Sequence, residues 1–375
     1  MDIVIKEVND KKLLKAFIDF PYHLYKGNLF YVPPLQFDEK ATLRKDKNPA
    51  FEYCEARYWL AYKQDKVVGR IAGILNNAYI KKWNNRFLRF GWLDFEEDEQ
   101  IAMALISQVE RWAKEKGMTA VHGPMGFTDL DHEGMLIEGF DQLGTLATIY
   151  NYPYYPSFIE NMGYNKDTDW VEYKIKIPVS MPEKLKAMAS IAERRFNLST
   201  VKACKAKDIL PYSKDVFDLI NSTYSELYGV VPLTEKQIKY YIKQYFSFIR
   251  ADFVSLVLDN NGKLIACGVT MPSISIALQK AKGRLLPFGF VHILKALKNN
   301  KLADLYLVAV DKKFQSKGVT AILMYELTKS YIDNGIEYAE SNPELEMNKK
   351  VQSIWKHYEA IQHKRRRCYI KYLNP

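Results

Sequence analysis

Two stretches far apart in the chain spell the same supersecondary unit, and this duplication limits the fold to one that can be built twice. Tyr58 to Asn76 (YWLAYKQDKVVGRIAGILN) reads as a hairpin: two β-rich runs flank a polar turn at Gln64 and Asp65, with Gly69 in the second run. Phe253 to Met271 (FVSLVLDNNGKLIACGVTM) has the same form, with its turn at Asp259 to Gly262 and Gly268 in the matching place. The segments downstream of the two hairpins match as well. The first half continues with a strand, Phe87 to Phe95, a periodic helix from about Glu99 to Lys116 closed by Gly117, and a short apolar run, Thr119 to His122. The second half has a strand from Asp304 to Val310, a helix from about Thr320 to Asp333, and a short strand from Ile336 to Glu340. Strand, helix, strand with an intervening crossover predicts neighbouring parallel strands, hence an α/β fold.

A length of 375 residues suits two domains. Each half opens on helical material, Lys11 to Tyr25 in one and Tyr212 to Tyr245 in the other. Lys174 to Leu185 (KIKIPVSMPEKL) loses helical period, carries two prolines and serves as the linker. The boundary is placed near Ser180, giving units 1–180 and 181–375.

An excess of 54 Lys and Arg over 44 Asp and Glu, a net charge of +10, points to an anionic partner: nucleic acid, a phospholipid surface or a phosphate-rich cofactor. The basic run His363-Lys364-Arg365-Arg366-Arg367 reads as a solvated or phosphate-facing strand, because no helix-turn-helix, RNP or zinc-finger pattern accompanies it; no specific nucleic acid is expected. Four isolated cysteines and six histidines without HExxH-type spacing predict no metal site. The N-terminus MDIVIKEVNDKK lacks a signal-peptide core, and no run reaches the ~18 apolar residues of a spanning helix, so a cytoplasmic protein is expected.

The local pattern richest in chemistry is LYLVAVDKKFQSKGVTAILMYEL. A buried strand ends at Val310, a polar loop holds Gln315, Lys317 and Gly318, and a helix begins near Thr320. Amides at a helix N-terminus lack intrahelical partners and sit at the positive end of the macrodipole, so such a turn receives anions. The corresponding turn of the first half reads Glu96-Glu97-Asp98-Glu99, an acidic first helical turn that disfavours a diphosphate.

The run Gln315-Ser316-Lys317-Gly318-Val319-Thr320 resembles the Q/R-x-x-G-x-G/A loop of the GNAT superfamily of N-acetyltransferases, whose main-chain amides cradle the coenzyme A pyrophosphate; Thr320 departs from its Gly or Ala. More loosely, Gly134 to Phe140 (GMLIEGF), Asn151 to Tyr155 (NYPYY) and Ile159 to Tyr164 (IENMGY) resemble motifs of bacterial double-domain acyltransferases, which include enzymes that acylate long-chain bases to make bacterial ceramide. The resemblance implies two tandem GNAT-like units, each a mixed, centrally twisted sheet flanked by helices, the first degenerate. It implies acyl-CoA as co-substrate, bound by Val308 and Val310 on the strand, by the loop from Gln315 through Thr320, and by Asn348. It further implies a carboxylate base, Glu340 with Glu346 behind it, and a tyrosine acid, Tyr358, although Trp355 stands where the family tyrosine often falls. The acceptor implied is a small or lipidic primary amine. The insert 275–300, with Lys280, Lys282, Arg284, Lys295 and Lys298 among Leu, Ile, Phe and Val, reads either as a basic amphipathic segment at a membrane surface or as an ordinary cover for the sheet. Two other readings stay open: tRNA-dependent aminoacyl transfer of the peptidoglycan-bridge type, and a non-catalytic binding module of the same fold.

Overall fold

The computed structural model describes residues 2–245 and 248–374. The chain divides into two compact units, one made of Met1–Val171, Ser275–Phe290 and His363–Pro375, the other of Glu172–Ile274 and Val291–Gln362. The first unit thus takes in the chain's last residues, whereas the sequence pattern assigns everything after 180 to the second. The cause is a non-local strand pairing, Tyr369↔Gly123 to Tyr372↔Ala120, which leaves no mark in local sequence.

The first unit runs β1 (Ile3–Glu7), α1 (Lys11–Leu24), α2 (Gln36–Thr42), β2 (Cys54–Lys63), β3 (Lys66–Asn76), α3 (Asn77–Trp83), β4 (Phe87–Phe95), α4 (Glu99–Glu115), β5 (Ala120–Gly123), β6 (Met135–Glu138), α5 (Tyr154–Asn161) and the start of β7 (Asn165–Lys176). Its strands β1 to β4 are successively antiparallel, and β4 and β5 are parallel, as the crossover through α4 requires. Helix α4 is amphipathic: Ile101, Leu105, Ile106, Val109 and Trp112 recur at helical spacing and are buried against the sheet. Trp112 meets Trp59 edge to face at 6.1 Å, and burying a ring of that size stabilises by about 2–3 kcal/mol.

The chain continues through α6 (Glu183–Phe196), β8 (Ser199–Thr200), α7 (Ala206–Ile209), α8 (Ser213–Tyr224), α9 (Glu235–Tyr245), β9 (Val254–Leu258), β10 (Leu264–Pro272), α10 (Ser275–Ala281), α11 (Gly289–Lys298), β11 (Leu302–Val310), α12 (Val319–Asp333), β12 (Tyr338–Ser341), β13 (Glu344–Leu345), α13 (Lys349–Gln352) and β14 (Glu359–Tyr372). In the second unit β9, β10 and β11 are antiparallel neighbours, β11 and β12 are parallel, and β12 meets the end of β7 antiparallel. Each unit is therefore a mixed sheet flanked by helices, and the repeat read from sequence is a repeat of topology.

Two details show that it is also a repeat of packing. A Cβ on Gly69 would lie 2.7 Å from the Leu105 Cδ1 of α4, and one on Gly268 would lie 3.0 Å from the Leu327 Cδ1 of α12. The crossover helix approaches the second hairpin strand closely in both units, and glycine admits it. Both units also bulge the strand before that helix: one extra residue enters β4 at Trp92, whose φ is +45°, and one enters β11 at Tyr306. Bulges re-aim side chains and gather beside functional sites.

The insert is two short helices. α10 packs in the first unit, where Gln279 Nε2 donates to the Leu29 and Tyr31 carbonyls at 2.9 Å each. On α11, Ile293 is buried while Phe290, Val291 and Leu294 are exposed. Among the described residues no helix is long and apolar enough to cross a membrane.

The basic run near the C-terminus is not the solvated strand expected. Lys364 and Arg366 are buried, bonded to the carbonyls of Leu143 and Ile149, and Arg365 and Arg367 both hold Asp169. Alternation along β14 turns half of its cations inward, to partners more than a hundred residues away.

Candidate functional site

Strands β11 and β12 share register only from Leu302↔Tyr338 to Leu305↔Ser341. β12 then ends while β11 runs on to Val310. The parting is pinned by Asn342, whose N–H donates to the Leu305 carbonyl (3.1 Å) and whose Nδ2 donates to that of Tyr306 (3.2 Å). Beyond it the main chain of Val308 meets a side chain: the Tyr224 hydroxyl donates to the Val308 carbonyl at 3.0 Å and lies 3.4 Å from its N–H.

After Val310 the loop folds on itself. Asp311 caps a single 3₁₀ turn, Lys312–Phe314, by accepting from Lys313 N–H (2.9 Å), and Gln315 Nε2 donates back to the Val310 carbonyl (3.1 Å). Ser316 and Gly318 both adopt left-handed backbone, φ +61° and +80°. The Lys317 ammonium stands over the Phe196 and Phe314 rings, 5.5 and 5.4 Å from their centroids. Gly318 is the N-cap of α12 and has no side chain to accept from the first turn. Val319 is buried in the core with Ile322 and Leu323, which fixes the helix start, while Thr320 is half-buried. The sequence-predicted loop thus forms one turn that leads through a glycine N-cap into α12.

The predicted catalytic residues are not brought together. Glu340 is buried and lies in register with buried Asp304, so the two carboxylates share a face of the sheet. Their strand neighbours Ala303, Leu305 and Ala339 pack with Met324 and Leu327 of α12 on the other face. Tyr358 packs with that second group, its hydroxyl 3.0 Å from Thr328 Oγ1 of α12. Glu340 and Tyr358 therefore stand on opposite faces. Tyr358 follows one α turn and a 3₁₀ stretch and ends them. Asn348 is spent capping that turn, accepting from Val351 N–H (3.4 Å), and Glu346 offers its main-chain carbonyl to Gln352.

Three residues of this site escape a reading of the sequence. Tyr306, the bulged residue, donates to Asp304 Oδ2 (3.3 Å), and burial together with the Asp304 charge pushes its phenol well above the ordinary range. Asp304 itself reads as an edge residue. Glu344 comes just after β12: it accepts from Trp355 Nε1 (2.8 Å), Ser341 lies beside it, and burial pushes its pKa up to about 7 against the opposing pull of both neighbours. A glutamate between a proline and a leucine carries no sequence signal; only the fold buries it.

The first unit builds the same corner differently. Helix α4 is capped by Asp98, whose carboxylate accepts from Gln100 N–H (2.9 Å) and pairs with Lys63. Its N-terminus already holds an anion of its own. His122 takes the register position in β5 that Glu340 takes in β12, and burial pushes its pKa down.

No protein-family model matches the chain. Among curated proteins it is similar to Protein YghO of Escherichia coli K12, 26% identical over 375 residues, covering 98% of this chain and 95% of that protein. It is equally similar to a protein named bacterial ceramide synthase from Caulobacter vibrioides, 26% identical over 384 residues and covering 99% and 98%. Among solved structures it superposes on a tandem GNAT protein from the clavulanic acid biosynthesis pathway with a TM-score of 0.58 and 12% identity, covering 100% of this chain and 99% of the other. The chain has the tandem GNAT fold. A probable N-acyltransferase from Enterococcus faecalis V583 gives a TM-score of 0.50 at 9% identity, over 99% of this chain and 73% of its own.

Both units part their parallel strands, β5 ending at Gly123 while β4 runs on to Phe95, but the crossover helix is glycine-capped in the second unit and aspartate-capped in the first. The two looser motifs fall in the first. Asn151 ties Leu136 at both its N–H (2.7 Å) and its carbonyl (3.0 Å), closing the GMLIEGF strand onto the NYPYY segment.

Proposed function

We propose that the chain is an acyl-CoA-dependent N-acyltransferase whose second GNAT unit holds the coenzyme diphosphate on the amides at Gly318, Val319 and Thr320. One contrast carries this reading: α12 is capped by a glycine without an acceptor, whereas α4 is capped by the Asp98 carboxylate. The exposed Lys317 adds charge at the first and not at the second.

In the proposed reaction the amine nitrogen attacks the thioester carbonyl, the carbon–sulfur bond breaks as the tetrahedral carbon collapses, and the thiolate leaves as a thiol after gaining a proton. The amine must arrive neutral. Glu344 is the proton acceptor best suited to that step, since a carboxyl raised by burial to about 7 titrates near the working pH and serves as a base. Glu340, the base that the resemblance implies, sits with Asp304 and Tyr306 on the face of the sheet turned away from α12.

A lipidic amine is the proposed acceptor class. The similarity to a bacterial ceramide synthase favours it, as do the exposed Phe290, Val291 and Leu294 of α11 beside Lys295 and Lys298, a composition suited to an anionic bilayer surface. The test is thiol release from acetyl-, octanoyl- and palmitoyl-CoA against a panel of amines that includes sphinganine. Turnover with a long-chain base supports the full reading. Absence of thiol release with every pair refutes transferase activity.

A further inference from the structure

The first GNAT unit, which lacks the anion loop, contains a cavity of about 60 Å³. Its wall holds two carboxylates, Glu39 and Asp94, and one guanidinium, Arg70, all buried. Arg70 is committed: Nε donates to Asp94 Oδ2 at 2.7 Å and Nη1 to the Phe17 carbonyl at 2.9 Å. Asp94 is committed as well, taking Arg70 on one oxygen and the Tyr25 hydroxyl (2.8 Å) on the other. Among the described residues Glu39 accepts the Trp92 indole N–H alone, at 2.9 Å on one oxygen, and feels the same Arg70 charge that Asp94 holds. With one cation for two anions, the wall carries one negative charge in excess, and a buried carboxylate in that position costs free energy unless a cation meets it.

The remaining surroundings suit such a cation. Tyr31, Trp92 and Tyr150 line the cavity with ring surface. The Tyr31 hydroxyl is sealed from solvent and has no partner among the described residues, while burial holds its phenol protonated. His132 also lines the space, its ring bonded to the Leu146 carbonyl at 2.9 Å. Trp92 is the bulged residue of β4 with φ +45°, a strained placement that turns its indole onto Glu39. At roughly 15 Å³ for each water-sized position, the volume admits a group of about four heavy atoms.

We infer that this cavity binds a small primary ammonium bearing a neighbouring hydroxyl, with the ammonium on the free oxygen of Glu39 and the hydroxyl on Tyr31. The inference does not rest on the acyl-transfer reading, because no residue of the cavity belongs to the loop 311–318.

The test is ligand-observed NMR titration of the full chain with ethanolamine, ethylamine and acetate. Ethanolamine is expected to bind, ethylamine several-fold more weakly, and acetate not at all. Glu39→Gln keeps an oxygen for Trp92 and should weaken ethanolamine by about tenfold or more. Tyr31→Phe should bring ethanolamine to the level of ethylamine while leaving ethylamine unchanged. The variant Gly318→Asp should bind ethanolamine as the parent does, which separates this site from the diphosphate loop. Acetate binding in preference to the amines overturns the inference, as does ethanolamine binding that is absent in the parent or unaltered by Glu39→Gln in a protein of unchanged circular dichroism.

Discussion

Replacing Gly318 by Asp would put a carboxylate at the start of α12, on left-handed backbone where Asp98 of α4 is extended, and the structure sets what that should do. Gly318 has φ +80°, and a Cβ there would stand 3.3 Å from Ala192 Cβ on α6. Left-handed backbone costs a non-glycine residue about 1–2 kcal/mol, with aspartate at the low end. A negative charge near a helix N-terminus returns about 0.3–1 kcal/mol, so the folded state should lose no more than about 2 kcal/mol. Binding should change far more. The new carboxylate would sit about 4 Å from a diphosphate, where each pair of unit charges repels by ~1 kcal/mol in water and ~4 kcal/mol near a protein surface. It would also crowd the amides that the phosphate oxygens need, and hydrogen bonds lost there cost a further ~1.5–3 kcal/mol. Together these predict at least a hundredfold weaker coenzyme A binding by isothermal titration, while Gly318→Ala, which keeps the amides free, loses less than about tenfold. Equal affinity of parent and Gly318→Asp, with thermal unfolding unchanged, would refute the reasoning.

Glu344 predicts a pH dependence of stability. Its folded pKa of about 7 lies above the ordinary 4.5, so between those values the folded state holds more protons than the unfolded one and stability falls as pH rises, by about 3 kcal/mol across the window; urea titrations at pH 5 and pH 8 should show that loss in the parent and not in Glu344→Gln. If Glu344 accepts the amine proton, kcat/KM should also decline below pH about 7 in the parent, and this limb should vanish with Glu344→Gln. Arg70→Met leaves Asp94 buried without its cation and should cost about 3–5 kcal/mol by denaturant unfolding. Phe290→Glu and Leu294→Glu replace exposed side chains, so they should leave unfolding midpoints unchanged and reduce flotation with phosphatidylglycerol vesicles.

The hairpins, crossover helices and glycine-capped loop are legible because each is written within about twenty contiguous residues. Gly69 and Gly268 match in sequence, and they match in structure because each lets a leucine of the crossover helix onto the sheet. The last strand cannot be assigned to its unit in the same way: Lys364 and Arg366 look solvated until their partners near residues 143 and 149 are known. The catalytic pairing fails for a related reason. The resemblance implies that Glu340 and Tyr358 cooperate, but strand alternation turns Glu340 away from α12, while Thr328 holds Tyr358 against it. Glu344 and the excess charge beside Glu39 arise only from burial, which no single position announces.

Acyl-CoA dependence turns on where a diphosphate binds, and a crystal of the full chain soaked with coenzyme A tests that most directly. The expected result is phosphate density within about 3 Å of the Gly318, Val319 and Thr320 amides, with Lys317 swung off its two phenylalanine rings toward it. Density for the coenzyme elsewhere on the chain, with no phosphate at those three amides, would contradict it.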